Sequence, residues 1–79
     1  MNINNVIDIE HQLGARIRFL RQNQKISIEE LAFRSDINSN YLSDLERGHR
    51  NPTIKVLDKI CHGLGVTLSD LLKGIAGDN

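Results

Sequence analysis

Two short helical patterns joined by a tight turn, between Ile28 and Arg47, constrain the fold of this chain more than any other feature. Ser27 and Glu30 have the spacing of a capping box, which predicts that the first of these helices begins here. Asp36 tolerates the left-handed backbone conformation that a tight turn between helices requires. Asn38 is a favourable N-cap for the second helix. The segment therefore predicts a helix-turn-helix unit, whose second helix projects from the body of the domain.

The residues before this unit predict a longer helix. Leu13, Ile17 and Leu20 recur at the spacing of one helix face, between about Asp8 and Gln22. Gly14 lies within this pattern, where a residue without a side chain favours a close approach by another helix.

Two more helices are predicted after the unit. Apolar residues over 54–64 follow one helix face, with Pro52 expected in the first turn and with Gly63 and Gly65 at the end. Thr67 begins a second capping box and a short last helix. We therefore expect one all-α domain, a compact five-helix bundle. Its expected parts are a flexible arm at residues 1–8, a core over residues 13–72 and a frayed tail at residues 74–79.

The total charge of the chain argues against a nucleic-acid partner, but its distribution does not. Ten Lys and Arg are balanced by ten Asp and Glu, whereas a basic excess is the usual mark of nucleic-acid binding. Residues 11–25 carry four basic and no acidic side chains, residues 26–46 one basic and five acidic, and residues 47–59 four basic and one acidic. A basic rim just after the helix-turn-helix can therefore bind phosphate, while the acidic stretch before it lowers non-specific affinity.

Cysteine usage favours a reducing compartment. Cys61 is the single cysteine, so it cannot form an internal disulfide. It lies on the inner face of the fourth helix, and its neighbour His62 points in another direction, so we interpret it as a packed core thiol and expect no metal site. We expect no secretion leader and find no apolar run long enough to span a membrane. These features predict a cytoplasmic protein without a membrane partner.

The sequence as a whole resembles the phage-repressor-like (Cro/XRE) helix-turn-helix transcriptional regulators. The resemblance covers about Leu13 to Leu72. Its carriers are the motifs Leu13-Gly14-Ala15-Arg16-Ile17-Arg18, Glu29-Glu30-Leu31-Ala32, Tyr41-Leu42-Ser43, Leu45-Glu46-Arg47-Gly48, Asn51-Pro52-Thr53, Leu64-Gly65-Val66 and Asp70-Leu71-Leu72. Among proteins of this length, the chain is most similar to restriction-modification controller proteins and small phage repressors.

The resemblance implies a lambda-repressor-like DNA-binding domain that regulates transcription. Such proteins bind an inverted-repeat operator in double-stranded DNA as homodimers, with the second helix of the unit in the major groove. We accordingly expect a regulator without catalysis, cofactor or small-molecule ligand.

The resemblance also implies which residues contact DNA. Base edges would be read by Ser39, Asn40, Ser43 and Asp44, and phosphates would be contacted by Ser27, Arg47, Arg50 and Thr53. Asn40 can pair with adenine, and Asp44 can accept a hydrogen bond from cytosine. Glu46 matches a carboxylate that pairs with an arginine of the first helix, here Arg21, and that ties the second helix of the unit to the bundle.

Two positions depart from the pattern of this family. Ile28 stands where a glutamine that touches the DNA backbone is usual, and Asp36 stands where glycine is commonest. The first departure removes a polar contact and the second adds a negative charge near the reading surface. We therefore expect binding that is weaker or more sensitive to salt than that of a typical member.

Several of these residues also have ordinary alternative roles. Arg47 and Arg50 fit a solvated loop, and Asn40 and Ser43 fit an exposed helix surface. Asp44 can instead pair with Arg47 one turn on, which would remove it from base reading.

The apolar residues near the end of the chain exceed what one short helix needs to bury, so we expect part of them to form a two-fold interface. They are Val66, Leu68, Leu71, Leu72 and Ile75. The alternative is that they only complete the core. Val6, Ile7 and Ile9 either extend this interface or pack on their own subunit.

Two other functions compete with DNA binding. A protein-interaction module of the same fold, such as an antitoxin or anti-repressor, is kept open by Ile28, Asp36 and Asp44. A small hydrolase is disfavoured, because the sequence offers no nucleophile with a base beside it.

Overall fold

The computed structural model describes residues 8–75, and within this range the chain forms five helices and no strand. The helices are α1 (Ile9–Asn23), α2 (Ile28–Ser35), α3 (Ser39–Glu46), α4 (Ile54–Leu64) and α5 (Leu68–Leu71). The all-α prediction is confirmed. The predicted arm and tail lie outside the described residues, except for Asp8, Gly74 and Ile75.

Each helix begins where a side-chain oxygen accepts a hydrogen bond from the backbone of the first turn, as helix N-caps do. The capping residues are Asp8, Ser27, Asn38, Thr53 and Thr67. The capping box predicted at Thr67 is complete. At Ser27 only half of the predicted box is present, because the Glu30 carboxylate accepts from Arg34 Nε at 2.9 Å instead.

The turn between α2 and α3 has the predicted conformation. Asp36 is left-handed, with φ 54° and ψ 48°, and the next amide, of Ile37, donates back to the carbonyl of Ala32 at 3.0 Å. This arrangement ends α2 and redirects the chain, so that Asn38 can cap α3 almost immediately. The two helices of the unit therefore have a fixed relative orientation.

The core is formed by the inner faces of all five helices. The side chains without exposed surface, or nearly so, are Ile17, Leu31, Leu42, Leu45, Ile60 and Leu71. A close approach at Gly14 was expected, and the structure confirms it. A Cβ at this position would lie 2.8 Å from the carbonyl carbon of Glu46, so α1 passes directly against the end of α3.

The fourth helix differs from the prediction at both ends. Pro52 precedes the N-cap Thr53 and therefore lies outside the first turn. Gly63 does not end the helix but lies inside it, where a Cβ would overlap Ser35 Oγ of α2. Gly65 alone ends α4, with φ 71°. Over residues 8–75 no helix has both the length and the apolar character needed to cross a membrane.

Candidate nucleic-acid interface

The outer face of α3 presents a row of short polar side chains. Leu42 and Leu45 bury the inner face of this helix. The remaining positions carry the residues predicted to read bases, with Asn40 exposed and the others half-buried, namely Ser39, Ser43 and Asp44. Because the side chains are short, the helix backbone can approach a surface as closely as the major groove requires. The structure thus brings the four predicted base-reading residues together on one face.

A loop with a defined conformation follows α3 and carries two arginines. Gly48 is left-handed, with φ 80°, and its amide donates to the carbonyl of Leu45 at 3.0 Å. The amide of His49 donates to the carbonyl of Asp44 at 2.9 Å. These bonds fold the loop back over the last turn of α3, so Arg47 and Arg50 lie exposed beside the outer face.

Asp44 pairs with both of these arginines. Its Oδ1 is 2.5 Å from Arg47 Nη2, and its Oδ2 is 3.2 Å from Arg50 Nη2. The hydrogen bond from Arg47, followed by that from Arg50, lowers the pKa of Asp44 below its ordinary value, so the carboxylate is charged at neutral pH. The pairing with Arg47 that was left open from the sequence is therefore present, and Arg50 joins it.

Tyr41 adds a further contact that the sequence pattern did not predict. The guanidinium carbon of Arg50 lies 5.8 Å from the centroid of the half-buried Tyr41 ring, within the range of a cation–π interaction. Tyr41 lies one turn before Asp44 on the same helix, so α3 holds Arg50 through two different side chains.

The predicted ion pair between Arg21 and Glu46 is present on the inner side of α3. It is bidentate, with Arg21 Nε 2.7 Å from Glu46 Oε2 and Arg21 Nη2 3.0 Å from Oε1. The two side chains are only 11% and 4% exposed. Arg21 Nη1 also donates to the carbonyl of Ile26, and the bond to Glu46 raises the pKa of Arg21. This pair fixes the end of α3 to α1 and to the segment before α2.

The other two predicted phosphate contacts lie at helix N-termini. Ser27 and Thr53 are exposed, and each caps its helix with the side-chain oxygen while keeping a hydroxyl hydrogen for a further acceptor. Helix N-termini favour anions because their first amides lack helical partners. The two positions that depart from the family pattern differ in burial: Ile28 packs against the core, whereas the Asp36 side chain is fully exposed, 4.0 Å from Lys59.

A second surface is apolar. A groove of about 230 Å³ is lined mainly by apolar side chains, among them Ile9, Leu57, Leu72 and Ile75. Ile54, one turn before Leu57 on α4, is also exposed. The sequence pattern puts Ile54 on the same face of α4 as Leu57, but Leu57 lines the groove and Ile54 does not.

The residues predicted for a two-fold interface do not share one surface: Leu72 and Ile75 line this groove, whereas Val66 and Leu68 line a different depression with Asp58 and His62. Leu68 and Leu72 are exposed, and Val66 and Ile75 are half-buried. Leu71 has no exposed surface, so it belongs to the core of its own chain and is removed from the predicted interface.

The remaining candidate residues have structural roles. Cys61 is buried, and burial raises the pKa of its thiol, as expected for a core cysteine. His62 points outward to Asp58, at 3.5 Å. Arg16 donates to the carbonyls of Asp70 and Leu71 and so caps the end of α5. Within residues 8–75 no group of three or more His, Cys, Asp or Glu could hold a metal ion.

The fold and this outer face define a class of protein, the helix-turn-helix DNA-binding domains. Residues 17–71 match a family model described as Helix-turn-helix. The HTH-type transcriptional regulator DdrOP3 of Deinococcus deserti is 39% identical over 64 residues, which are 81% of this chain and 50% of that protein. Control protein C.BamHI of Bacillus amyloliquefaciens is 42% identical over 60 residues, which are 75% of this chain and 74% of that protein.

The solved structures include a protein of similar fold in complex with DNA. C.Esp1396I bound to a 25 base pair operator site matches with a TM-score of 0.78 and 29% identity, over 86% of this chain and 90% of that one. This chain belongs to the helix-turn-helix family of Cro/XRE-type transcriptional regulators. The resemblance read from the sequence is thereby confirmed, and with it DNA-binding transcription regulation as the general function.

Proposed function

We propose that this chain binds an inverted-repeat operator as a homodimer and regulates transcription by occupying it. The observation that carries the proposal is the short-chained polar face of α3, flanked on one side by Arg47 and Arg50. A dimer would place two α3 helices in successive major grooves, about 34 Å apart. The operator-bound C.Esp1396I, a protein of similar fold, supports operator binding by this chain.

Within this proposal, contacts to bases and to phosphates come from different elements. Asn40 is exposed on α3 and its amide can pair with an adenine edge, with Ser39 and Ser43 beside it. Arg47 and Arg50 contact phosphate on one side of the helix. Ser27 and Thr53 contact phosphate through the N-termini of α2 and α4, and all of these contacts fix α3 in the groove.

The proposed dimer interface is formed by accessible apolar side chains that lie outside the polar outer face of α3. It consists of residues that remain accessible in one chain, namely Ile9, Ile54, Val66, Leu68, Leu72 and Ile75. Packing of this surface against its copy would remove apolar side chains from water and generate the two-fold axis that an inverted repeat requires. We therefore assign the exposed leucines near the end of the chain to self-association.

The proposed mechanism is occupancy without catalysis, in the cytoplasm, where a regulator of this kind meets DNA. A bound dimer would block or recruit polymerase, as expected for a repressor or a restriction-modification controller. The similarity to a control protein supports the second possibility.

One observation favours a protein partner as the competing function. In the free chain Asp44 already occupies Arg47 and Arg50, which are the arginines proposed to contact phosphate. An antitoxin or anti-repressor of this fold would keep these pairs and bind protein through other surfaces.

A shift assay with a random duplex library at low salt tests the proposal. Repeated selection should recover an inverted repeat, bound by two copies of the chain. Failure to retain any duplex at low salt would contradict it.

A paired substitution separates the two candidate functions. Arg47→Ala with Arg50→Ala should weaken duplex binding about 10- to 100-fold, because two phosphate contacts are lost. For the same reason, the slope of log binding constant against log salt concentration should become less negative by about 1.8. The matched control is Arg18→Ala with Lys73→Ala, which removes two exposed positive charges elsewhere and should change the affinity less than about twofold. Equal effects of the two pairs would contradict the proposed phosphate contacts.

A further inference from the structure

Asp44, Arg47 and Arg50 form a set of two ion pairs at the edge of the outer face of α3. Each oxygen of Asp44 binds a different guanidinium, Oδ1 that of Arg47 at 2.5 Å and Oδ2 that of Arg50 at 3.2 Å. Each oxygen of the carboxylate therefore already has a guanidinium partner in the free chain.

This set is built by the backbone and does not depend on chance encounters of long side chains. Arg50 is six residues from Asp44 and could not reach it along a straight helix. The left-handed Gly48 and the hydrogen bond from the His49 amide to the Asp44 carbonyl return the loop to α3. Tyr41 gives Arg50 a further contact, with the guanidinium carbon 5.8 Å from the ring centroid. The arginines are thus held beside the carboxylate by the same loop that presents them to phosphate.

The set is also accessible, and this distinguishes it from a structural ion pair. Asp44 is 27% exposed, and Arg47 and Arg50 are more than half exposed. In water, ion pairs of this kind are weak and exchange readily with other ions. A DNA phosphate can therefore replace Asp44 as the partner of each arginine.

Replacement leaves Asp44 as a bare carboxylate on the base-facing side of α3. The major groove offers two kinds of hydrogen-bond donor to it, the N4 amine of cytosine and the N6 amine of adenine. Where such an amine is present, the carboxylate gains a new partner. Where the base nearest the carboxylate is guanine or thymine, its edge presents only acceptor atoms. The carboxylate then stays unpaired in a strongly negative groove and opposes binding.

We propose that Asp44 is a specificity-determining residue that exchanges its two arginines for an exocyclic base amine when the operator is bound. The inference rests on the proposed function. It assigns to Asp44 first the arginines and then a base amine, two kinds of partner that the sequence alone leaves as alternatives. When the chain binds any duplex, the contacts between Asp44 and the two arginines are broken. The operator places a base amine opposite Asp44, so the penalty falls on sequences that place guanine or thymine there.

The test is Asp44→Asn, measured on two duplexes of equal length and base composition. One is the inverted repeat recovered by the wild-type chain, and the other has the same bases in scrambled order. The asparagine cannot neutralise the arginines, so affinity for the scrambled duplex should rise about threefold to tenfold, as expected for the release of two exposed ion pairs. Affinity for the operator should rise less than that, because the asparagine also loses the charge-assisted contact with the base amine. The ratio of the two affinities should therefore fall.

The matched control is Asp58→Asn, which removes one exposed negative charge from α4, where the carboxylate faces His62. It should shift both affinities equally and by less than about twofold. Circular dichroism of both variants checks that they fold. The inference is overturned if Asp44→Asn leaves the ratio unchanged, either because both affinities rise together or because neither moves. Wild-type protein that retains no duplex at all is a different result, and it would overturn the proposed function itself.

Discussion

Two carboxylates of α3, Glu46 and Asp44, are two residues apart and have opposite environments. A separation of two residues turns the side chains by roughly 200° around the helix axis, so one faces the bundle and the other faces outward. Glu46 forms a bidentate pair with Arg21, with both side chains nearly buried. Asp44 divides its oxygens between Arg47 and Arg50, which are exposed.

The difference shows that burial decides what a carboxylate–arginine contact does. A buried pair has no alternative ions, so removing one partner leaves an uncompensated charge in the interior. An exposed pair competes with salt and phosphate for its partners and contributes little to stability. The buried Arg21–Glu46 pair therefore positions α3, whereas the exposed pairs of Asp44 can exchange their partners when another anion approaches.

The largest effect on stability should come from breaking the buried pair between Arg21 and Glu46. Glu46→Gln keeps the shape of the side chain but removes the charge that compensates Arg21. We expect the free energy of unfolding to fall by about 3 kcal/mol, the usual cost of leaving one partner of a buried pair. Urea denaturation followed by circular dichroism measures this loss.

The matched control for that measurement is Glu30→Gln. Its carboxylate pairs with Arg34 one turn on, with both side chains about half exposed. The same chemical change should here cost no more than about 0.5 kcal/mol. If the two substitutions reduce stability equally, burial does not distinguish the pairs and the comparison fails.

A second substitution tests how closely α1 supports the inner side of α3. A Cβ on Gly14 would lie within 3 Å of backbone atoms of Glu46, and backbone cannot move aside as a flexible side chain can. Gly14→Ala should therefore destabilise the fold by about 2 kcal/mol through overpacking. Thermal unfolding measures the change. Helix propensity alone predicts a gain of about 1 kcal/mol, so a stabilised variant would show that α1 and α3 are not in direct contact.

The smallest expected effect is a pH-dependent contribution of Asp44, through its pairs with Arg47 and Arg50, to the stability of the fold. Because Arg47 and Arg50 lower the pKa of Asp44 in the folded chain, its contribution to stability is present above the ordinary pKa of an aspartate. Below that value the unfolded chain takes up the proton first, and the contribution is lost as the pH falls through the lower, folded pKa. The melting temperatures of wild type and Asp44→Asn should therefore differ slightly at pH 7 and converge towards pH 3. A difference that is constant over this range would indicate that the carboxylate is not paired.

Most of the features predicted correctly from the sequence are set by neighbouring residues. The N-caps and the left-handed Asp36 depend on a few adjacent positions, and the resemblance to a known family predicted the pairing of Arg21 with Glu46. The contact between Asp44 and Arg50 was missed, because it requires the loop to fold back at Gly48.

The other errors have the same origin in packing between distant segments. The sequence pattern predicts a helix end at Gly63, although Gly63 is the site where α2 crosses α4. Leu71 was assigned to an interface, although the bundle buries it completely. Periodicity identifies which side chains are apolar and share a helix face, but only the assembled bundle shows which of them remain accessible.

The central claim is that the outward face of α3 reads base sequence, and the most direct measurement is a parallel selection from a random duplex library with wild type and Asn40→Ala. Asn40 is exposed on this face, and the structure gives its side chain no role in the core. The wild type should select an inverted repeat whose half-sites are about one helical turn apart. Asn40→Ala should select the same repeat with its preference for adenine lost at one position in each half. Identical selected sequences from the two proteins, or no repeat from the wild type, would contradict the account.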